Sequence, residues 1–288
     1  MIKPDDGRHG PDALGLRHAS EHRGKKHKNL GDEMKGQAEL LWNARKNGTV
    51  VDASAIPEPA NNEEAYAIQR KIAELSGYPI VGFKVGSTSE EAQRILGTSE
   101  PGSGPVLEPF YFTSPATVPI VAEQMPAVEG EFGFRMGKDL PAQSEPYDIE
   151  DVAAAIDAVA GSVEVVGTRL AGGLAGKGRF LVTADGGANI ALVTGAWSTA
   201  VSPFDLKDHP VSVTINGQKK GSGVGSLALG DPLNVLVWLA NQQSKLGRGL
   251  KAGDIISTGT CTGLDGVKSG DHMVADYGSL GTVDITFS

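Results

Sequence analysis

Two hydrophobic periods divide the chain. Between Met34 and Gly48, Ala38, Leu40, Leu41 and Ala44 fall on one side of a helix, and Gly48 is its stop. A second helix is predicted from about Asn62 to Leu75, with Asn62 as N-cap, Glu63 and Glu64 in the first turn, a stripe of Ile68, Ile72 and Leu75, and Gly77 as terminator. Pro79 introduces an apolar, strand-like segment from Ile80 to Val85, and Ser89 can cap a short helix carrying Ala92 and Ile95. Beyond residue 104 the period changes to two. Val128, Phe132, Phe134 and Met136 alternate with Ala127, Glu129, Glu131 and Gly133, which predicts a strand. A helix from about Ile149 to Val159 is expected to precede a strand at Ser162–Val166, and Asn189–Thr194 is another apolar run. Val211, Val213 and Ile215 lead into Asn216-Gly217, a two-residue hairpin turn. Asp231-Pro232 supplies an N-cap and first helical residue for a helix bearing Leu233, Leu236, Val237 and Ala240. Ile255–Ser257, Met273–Ala275 and Thr282–Phe287 complete the predicted strands.

This order predicts an α+β fold. A small helical N-terminal subdomain (34–104) precedes a larger, curved, mixed β body (105–288). Residues 1–33 are polar, hold His9, His18, His22 and His27, and read as a disordered extension or an over-called start upstream of Met34.

Composition narrows the partners. With 39 glycines in 288 residues the chain needs many tight turns, which suits a β-rich body. A formal net charge of −9 sets it against nucleic acid, and an acidic substrate would need a locally positive site. Cys261 is the single cysteine, so no intrachain disulfide forms. No apolar run approaches a membrane span or a secretory signal, which makes the cytoplasm the expected compartment.

Four charges sit where charges are costly. Glu129 and Glu131 are two apart on one strand, so their side chains point the same way about 7 Å apart at Cα. Carboxylates so placed repel unless a proton or cation lies between them, and an oxygen-rich site of this kind suits Mg²⁺ or Mn²⁺. A solvated strand face would show the same spacing. Glu164, inside Ser162-Val163-Glu164-Val165-Val166, needs a partner: Arg169 or Arg135 in a salt bridge, or the same cation as a third ligand. Lys84 stands alone in Gly82-Phe83-Lys84-Val85-Gly86, either to hold a substrate carboxylate or oxyanion or to snorkel from a strand end. Ser87 and Thr88 follow it and can offer hydroxyls and backbone N–H groups to an anion.

The ordered succession VGFKVGSTSEEAQRILG (81–97), VEGEFGFRMGKDLP (128–141), VEVVGTRL (163–170), ADGGAN (184–189), SGVGSLALGDPLNVLVWLAN (222–241) and LKAGDIISTGTCTG (250–263) resembles the fumarylacetoacetate hydrolase superfamily, in its 2-oxopent-4-enoate hydratase and 4-oxalocrotonate decarboxylase branch. The resemblance implies the family's mixed β-roll or sandwich, with Glu129, Glu131 and Glu164 as metal ligands. It also implies Lys84 and Asp185 as catalytic residues and a homo-oligomer, and Lys84, Ser87 and Thr88 are the residues expected at the substrate. The sequence departs from the family at Pro101-Gly102-Ser103-Gly104, where relatives carry an aspartate near the reacting carbons, and at Ala184-Asp185-Gly186, where they read A-D-N.

The resemblance implies a hydratase of 2-hydroxypenta-2,4-dienoate-type 2-oxo acids in aromatic-compound catabolism, with conjugate addition of water to a stabilised enolate. A 4-oxalocrotonate-type decarboxylase is the second reading. A C–C hydrolase of acylpyruvates is the third, because the sequence shows no His–Glu pair to activate water. A non-catalytic paralogue in a hetero-complex with a related active subunit is the rival from another class.

Overall fold

The computed structural model describes residues 31–288 of the chain. Helix α1 occupies residues 31–47. The expectation for residues 1–30 lies outside the described residues, and residues 31–33 are the first residues of α1. Asn61, one residue earlier than expected, caps α2 (Asn62–Ser76) by accepting from Glu64 N, and Gly77 ends it in the left-handed region. Strand β1 (Ile80–Gly86), helix α3 (Glu90–Leu96, capped by Ser89) and strand β2 (Gly102–Leu107) follow, then short strands β3 (Tyr111–Thr113) and β4 (Ala116–Val118). Strand β5 spans Ala127–Met136, helix α4 Ile149–Ala155, strand β6 Ile156–Val166, helix α5 Arg179–Ala184 and strand β7 Asn189–Thr194. Strands β8 (Pro210–Ile215) and β9 (Gln218–Val224) form the hairpin around Asn216-Gly217, both at positive φ. Helix α6 (Pro232–Lys245), capped by Asp231, precedes β10 (Ile255–Ser257), β11 (Asp265–Gly266), β12 (His272–Asp276) and β13 (Thr282–Phe287).

One difference from the predicted elements matters. The helix expected to reach Val159 stops at Ala155, and β6 runs six residues longer at its start. Those residues pair with the far half of β5, from Phe132 to Met136, so the sheet claims a segment whose local pattern reads as helix.

The strands form two mixed sheets. The larger has the order β2-β1-β10-β5-β6-β7-β3 with β11 added to β5, and the smaller β4-β13-β12-β8-β9. The strand-like segment expected at Ile80–Val85 is β1, and it joins the large sheet together with β2. The sheets pack through β5 and β6 against β8, β12 and β13, around Val128, Phe132, Val163, Val213, Met273, Val283 and Ile285. A second, smaller core of Leu41, Ile56, Ile68, Leu170 and Leu181 ties α1 and α2 to α5. Both faces of β5 and β6 are therefore covered, which excludes a solvated strand face at Glu131 and Glu164. No helix among the described residues is long and apolar enough to cross a membrane.

Candidate metal centre

Strand register builds the site. In the antiparallel β5–β6 ladder Glu129 stands directly opposite Glu164, and Glu131 opposite Ser162. Opposed residues share a face, so one surface of the sheet receives all three glutamates. One oxygen from each lies within 4.8 Å of the others. A hard divalent cation with ligands at about 2.1 Å keeps its oxygens within about 4.2 Å of one another, a modest contraction of this cage. Glu131 and Glu164 are fully buried, and Glu129 is half-buried at the wall of a cavity.

Lys84 arrives from β1. Its Nζ lies 3.1 Å from Glu164 Oε1, so the partner of Glu164 is Lys84 and neither Arg135 nor Arg169. Three strand steps separate β1 from β6, about 14 Å in a flat sheet, and the contact requires strong curvature. Asn189, the first residue of β7, donates a 3.1 Å hydrogen bond to the same Glu164 oxygen. Glu131 Oε2 accepts from Ser257 Oγ and, at 3.0 Å, from Gly259 N. Ser257 and Gly259 carry no chemistry visible in the sequence. Their signal is only the polar Ser257-Thr258-Gly259 immediately after the apolar Ile255-Ile256. Gly259 has φ +89°, and a Cβ there would collide with the Thr88 hydroxyl. Thr88 is thus buried behind the peptide that holds Glu131, whereas Ser87 lines the cavity.

Charge does not balance here. Three carboxylates face one ammonium, and Glu131 Oε1 and Glu164 Oε2 are buried without a hydrogen-bond partner. Without a cation among them, burial and the Glu164 charge, offset in part by Lys84, push the Glu129 carboxyl up to about 8. Burial and both neighbouring glutamates hold Glu131 well above the ordinary carboxylate range, against the pull of Ser257 and Gly259. For Lys84 burial acts downward, but Glu164, Glu129 and Glu131 together hold it above its usual value. A divalent cation would supply the two missing positive charges and partners for both orphaned oxygens. The three glutamates can hold such an ion.

Asp185 lies in a separate network. Its Oδ2 accepts from Thr168 Oγ1 at 2.7 Å and Arg169 N at 3.0 Å, and its Oδ1 from Arg169 Nε at 2.7 Å. Arg169 also donates to Asn189 O at 2.7 Å. This pair anchors the turn at 186–189, in which Gly186, Gly187 and Ala188 all have positive φ. At Gly187 the turn lies against Lys84 Cε, where even a Cβ would be 3.0 Å away. Asp185 therefore touches the cage through Arg169, the turn and Asn189.

The adjoining cavity, about 180 Å³, opens from Lys84 and Glu129 toward Ser87, Gly102, Thr183, Glu100 and Arg179. No histidine lines it among the described residues. A Cβ on Gly102 would find its nearest neighbours at Thr183 Oγ1, 3.8 Å, and Tyr66 OH, 4.0 Å, so the position has room for a side chain but holds none. Glu100 accepts from Asn62 Nδ2 at 2.9 Å and pairs with Arg179 at 3.3 Å.

Comparison with known proteins identifies the family. Residues 83–288 match the family described as "Fumarylacetoacetate (FAA) hydrolase C-terminal". A 2-keto-4-pentenoate hydratase of Paraburkholderia xenovorans (strain LB400) is 33% identical over 259 residues, covering 87% of this chain and 93% of the relative. Two structures of 4-oxalocrotonate decarboxylase from Pseudomonas putida G7, each 28% identical, cover 89% of this chain and 98% of their own. One, complexed with calcium and acetate, superposes with a TM-score of 0.80, and the other, complexed with magnesium and adipate, with 0.81.

Proposed function

We propose, on the premise that this chain belongs to the fumarylacetoacetate hydrolase family, that it is a hydro-lyase adding water to 2-hydroxypenta-2,4-dienoate-type 2-oxo acids. The observation that carries the reading is the buried excess of negative charge at Glu129, Glu131 and Glu164, with two carboxylate oxygens left unpartnered. In this reading those residues would hold Mg²⁺ or Mn²⁺, which would supply Lewis acidity for stabilising negative charge on a 2-oxo acid.

The chain's own groups do the rest. Lys84 Nζ, buried against Glu164, adds a fixed positive charge beside the developing oxyanion. Ser87, at φ +57°, presents its backbone and hydroxyl at the same end of the cavity. Thr88 acts from behind, by packing on Gly259 and so fixing the N–H that holds Glu131. Asp185 is a positioning residue, because its carboxylate is consumed by Arg169 and Thr168. At the far end Glu100, oriented by Asn62 and Arg179, is the acid available to exchange a proton with the substrate's carbon chain, since Gly102 brings none.

A decarboxylase acting on 4-oxalocrotonate is the second reading, favoured by the 28% identical decarboxylase and by Arg179, which could meet a second carboxylate in the cavity. Among the described residues no histidine lines the cavity, which disfavours a C–C hydrolase that activates water through a His–Glu pair. Cytoplasmic location, a role in aromatic-compound catabolism and a homo-oligomeric state complete the proposal. A hetero-complex with a related subunit is the alternative assembly.

Purified protein supplied with Mg²⁺ and 2-hydroxypenta-2,4-dienoate is expected to remove the dienol absorbance, and Glu131→Gln to abolish that activity. Normal turnover by Glu131→Gln would refute the site. Release of CO₂ from 4-oxalocrotonate without dienol hydration would assign the decarboxylase instead.

A further inference from the structure

We propose that a second cavity, distinct from the one at Glu129, binds a small carboxylate with a flat apolar body, such as an aromatic monocarboxylate. The cavity measures about 270 Å³ and shares no lining residue with the cavity at Glu129. It lies between the end of α1, the segment around Phe110 and Phe112, Val121, and Ile190 at the start of β7. This volume is at the small end of the range for ligand sites and suits a single ring with a carboxylate.

Its charge selects an anion. Arg45 and Lys46 line the cavity, Arg169 contributes to its wall, and no acidic side chain does. Arg45 spends Nη1 on Asn189 O at 2.7 Å and Nη2 on Ile190 O at 2.9 Å, which are neutral acceptors. Its Nε is buried with no partner, a donor that native interiors rarely leave unpaired. No carboxylate forms an ion pair with Arg45 among the described residues, and burial together with Arg169 pushes its pKa down to about 9. A carboxylate in the cavity would offset the charges of Arg45 and Lys46, whereas Arg169 is already neutralised by Asp185. The Phe110 ring lies 3.9 Å from the Arg45 guanidinium and, with Phe112 and Ile190, offers a flat apolar wall for the rest of the ligand. Arg45 also contacts Asn189, which holds Glu164, so such a ligand would sit one hydrogen-bonded residue away from the metal centre.

The test is a calorimetric titration of the full chain, in Mg²⁺ buffer, with benzoate as the probe. Saturable binding with a stoichiometry near one is expected, and benzyl alcohol should bind at least about tenfold more weakly because it lacks the charge. Lys46→Glu, a change at an exposed position that leaves the fold intact, should weaken benzoate binding by about tenfold, and Arg45→Gln by more, its fold being checked by circular dichroism. Glu131→Gln should leave benzoate binding unchanged, which assigns the binding away from the metal centre. The proposal fails if benzoate shows no saturable binding, if benzyl alcohol binds equally well, or if Glu131→Gln removes the binding while Lys46→Glu does not.

Discussion

Two buried ionic clusters lie near one another, one on the large sheet and one between the segment after β6 and the end of α5, and they are built on opposite principles. In the Asp185–Arg169 cluster both carboxylate oxygens are satisfied by short hydrogen bonds from Thr168 and Arg169, and the charges cancel one to one. In the Glu129–Glu131–Glu164 cluster one lysine faces three carboxylates and two oxygens have no partner. Burial alone does not separate them, since Asp185, Glu131 and Glu164 are all nearly inaccessible. The bookkeeping of charge and hydrogen bonds does. A closed cluster positions the chain, and an open one is made for something that arrives later.

Substitutions should therefore act in opposite senses at the two clusters. The largest effect expected is on turnover, where Glu131→Gln should cost about 10³-fold or more by removing a ligand to the cation. Turnover measured at saturating Mg²⁺ checks this. Next, Asp185→Ala leaves Arg169 buried and uncompensated, and urea denaturation should show a loss of about 3–5 kcal/mol. In EDTA at pH 8 the same experiment on Glu131→Gln should show stability no lower than wild type, and higher by about 1 kcal/mol, because a neutral amide fills the buried position without the proton uptake that the carboxyl needs on folding. If both variants lose several kcal/mol, the contrast between the clusters does not exist.

The open cluster also fixes the sign of a pH effect. Glu129, raised to about 8, and Glu131, raised well above the normal range, keep their protons in the native state while unfolded carboxyls ionise near about 4.3. The native state then binds more protons than the unfolded one across that window. In EDTA, stability should fall as pH rises from about 5 to 8, with a slope of up to about 1.4 kcal/mol per pH unit for each retained proton. Saturating Mg²⁺ should flatten the slope, since the cation takes the place of the protons. A flat profile in EDTA would show that the glutamates are ionised without a cation. The smallest effect belongs to Ser257→Ala, which removes one donor to Glu131 Oε2 and should weaken Mg²⁺ binding by about tenfold, measured by calorimetry.

The open cluster was the more legible of the two in the sequence. Glu129 and Glu131 are local, their period of two places them on one face, and Glu164 and Lys84 stand out as charges inside apolar strands. Which charge meets which was not legible, because Lys84 and Glu164 are 80 residues apart and meet only through sheet curvature. Ser257 reaches Glu131 across 126 residues and has no charge to announce it. Asp185 carried a motif in the sequence, yet its partners appear only once Arg169 is seen folded back on the turn at 186–189. The strands with clean alternation or a turn signal, such as the hairpin at Asn216-Gly217, were readable in the same way. The α4–β6 boundary was not, since Ile156–Gly161 is a strand through pairing with β5 rather than by local preference.

Everything turns on whether three carboxylates close around one cation. Crystals soaked in Mn²⁺ and measured for anomalous scattering give the answer most directly. One peak is expected among Glu129, Glu131 and Glu164, about 2.1 Å from an oxygen of each. A map without that peak, or with manganese bound elsewhere while Glu131 keeps only its contacts to Ser257 and Gly259, would contradict the account.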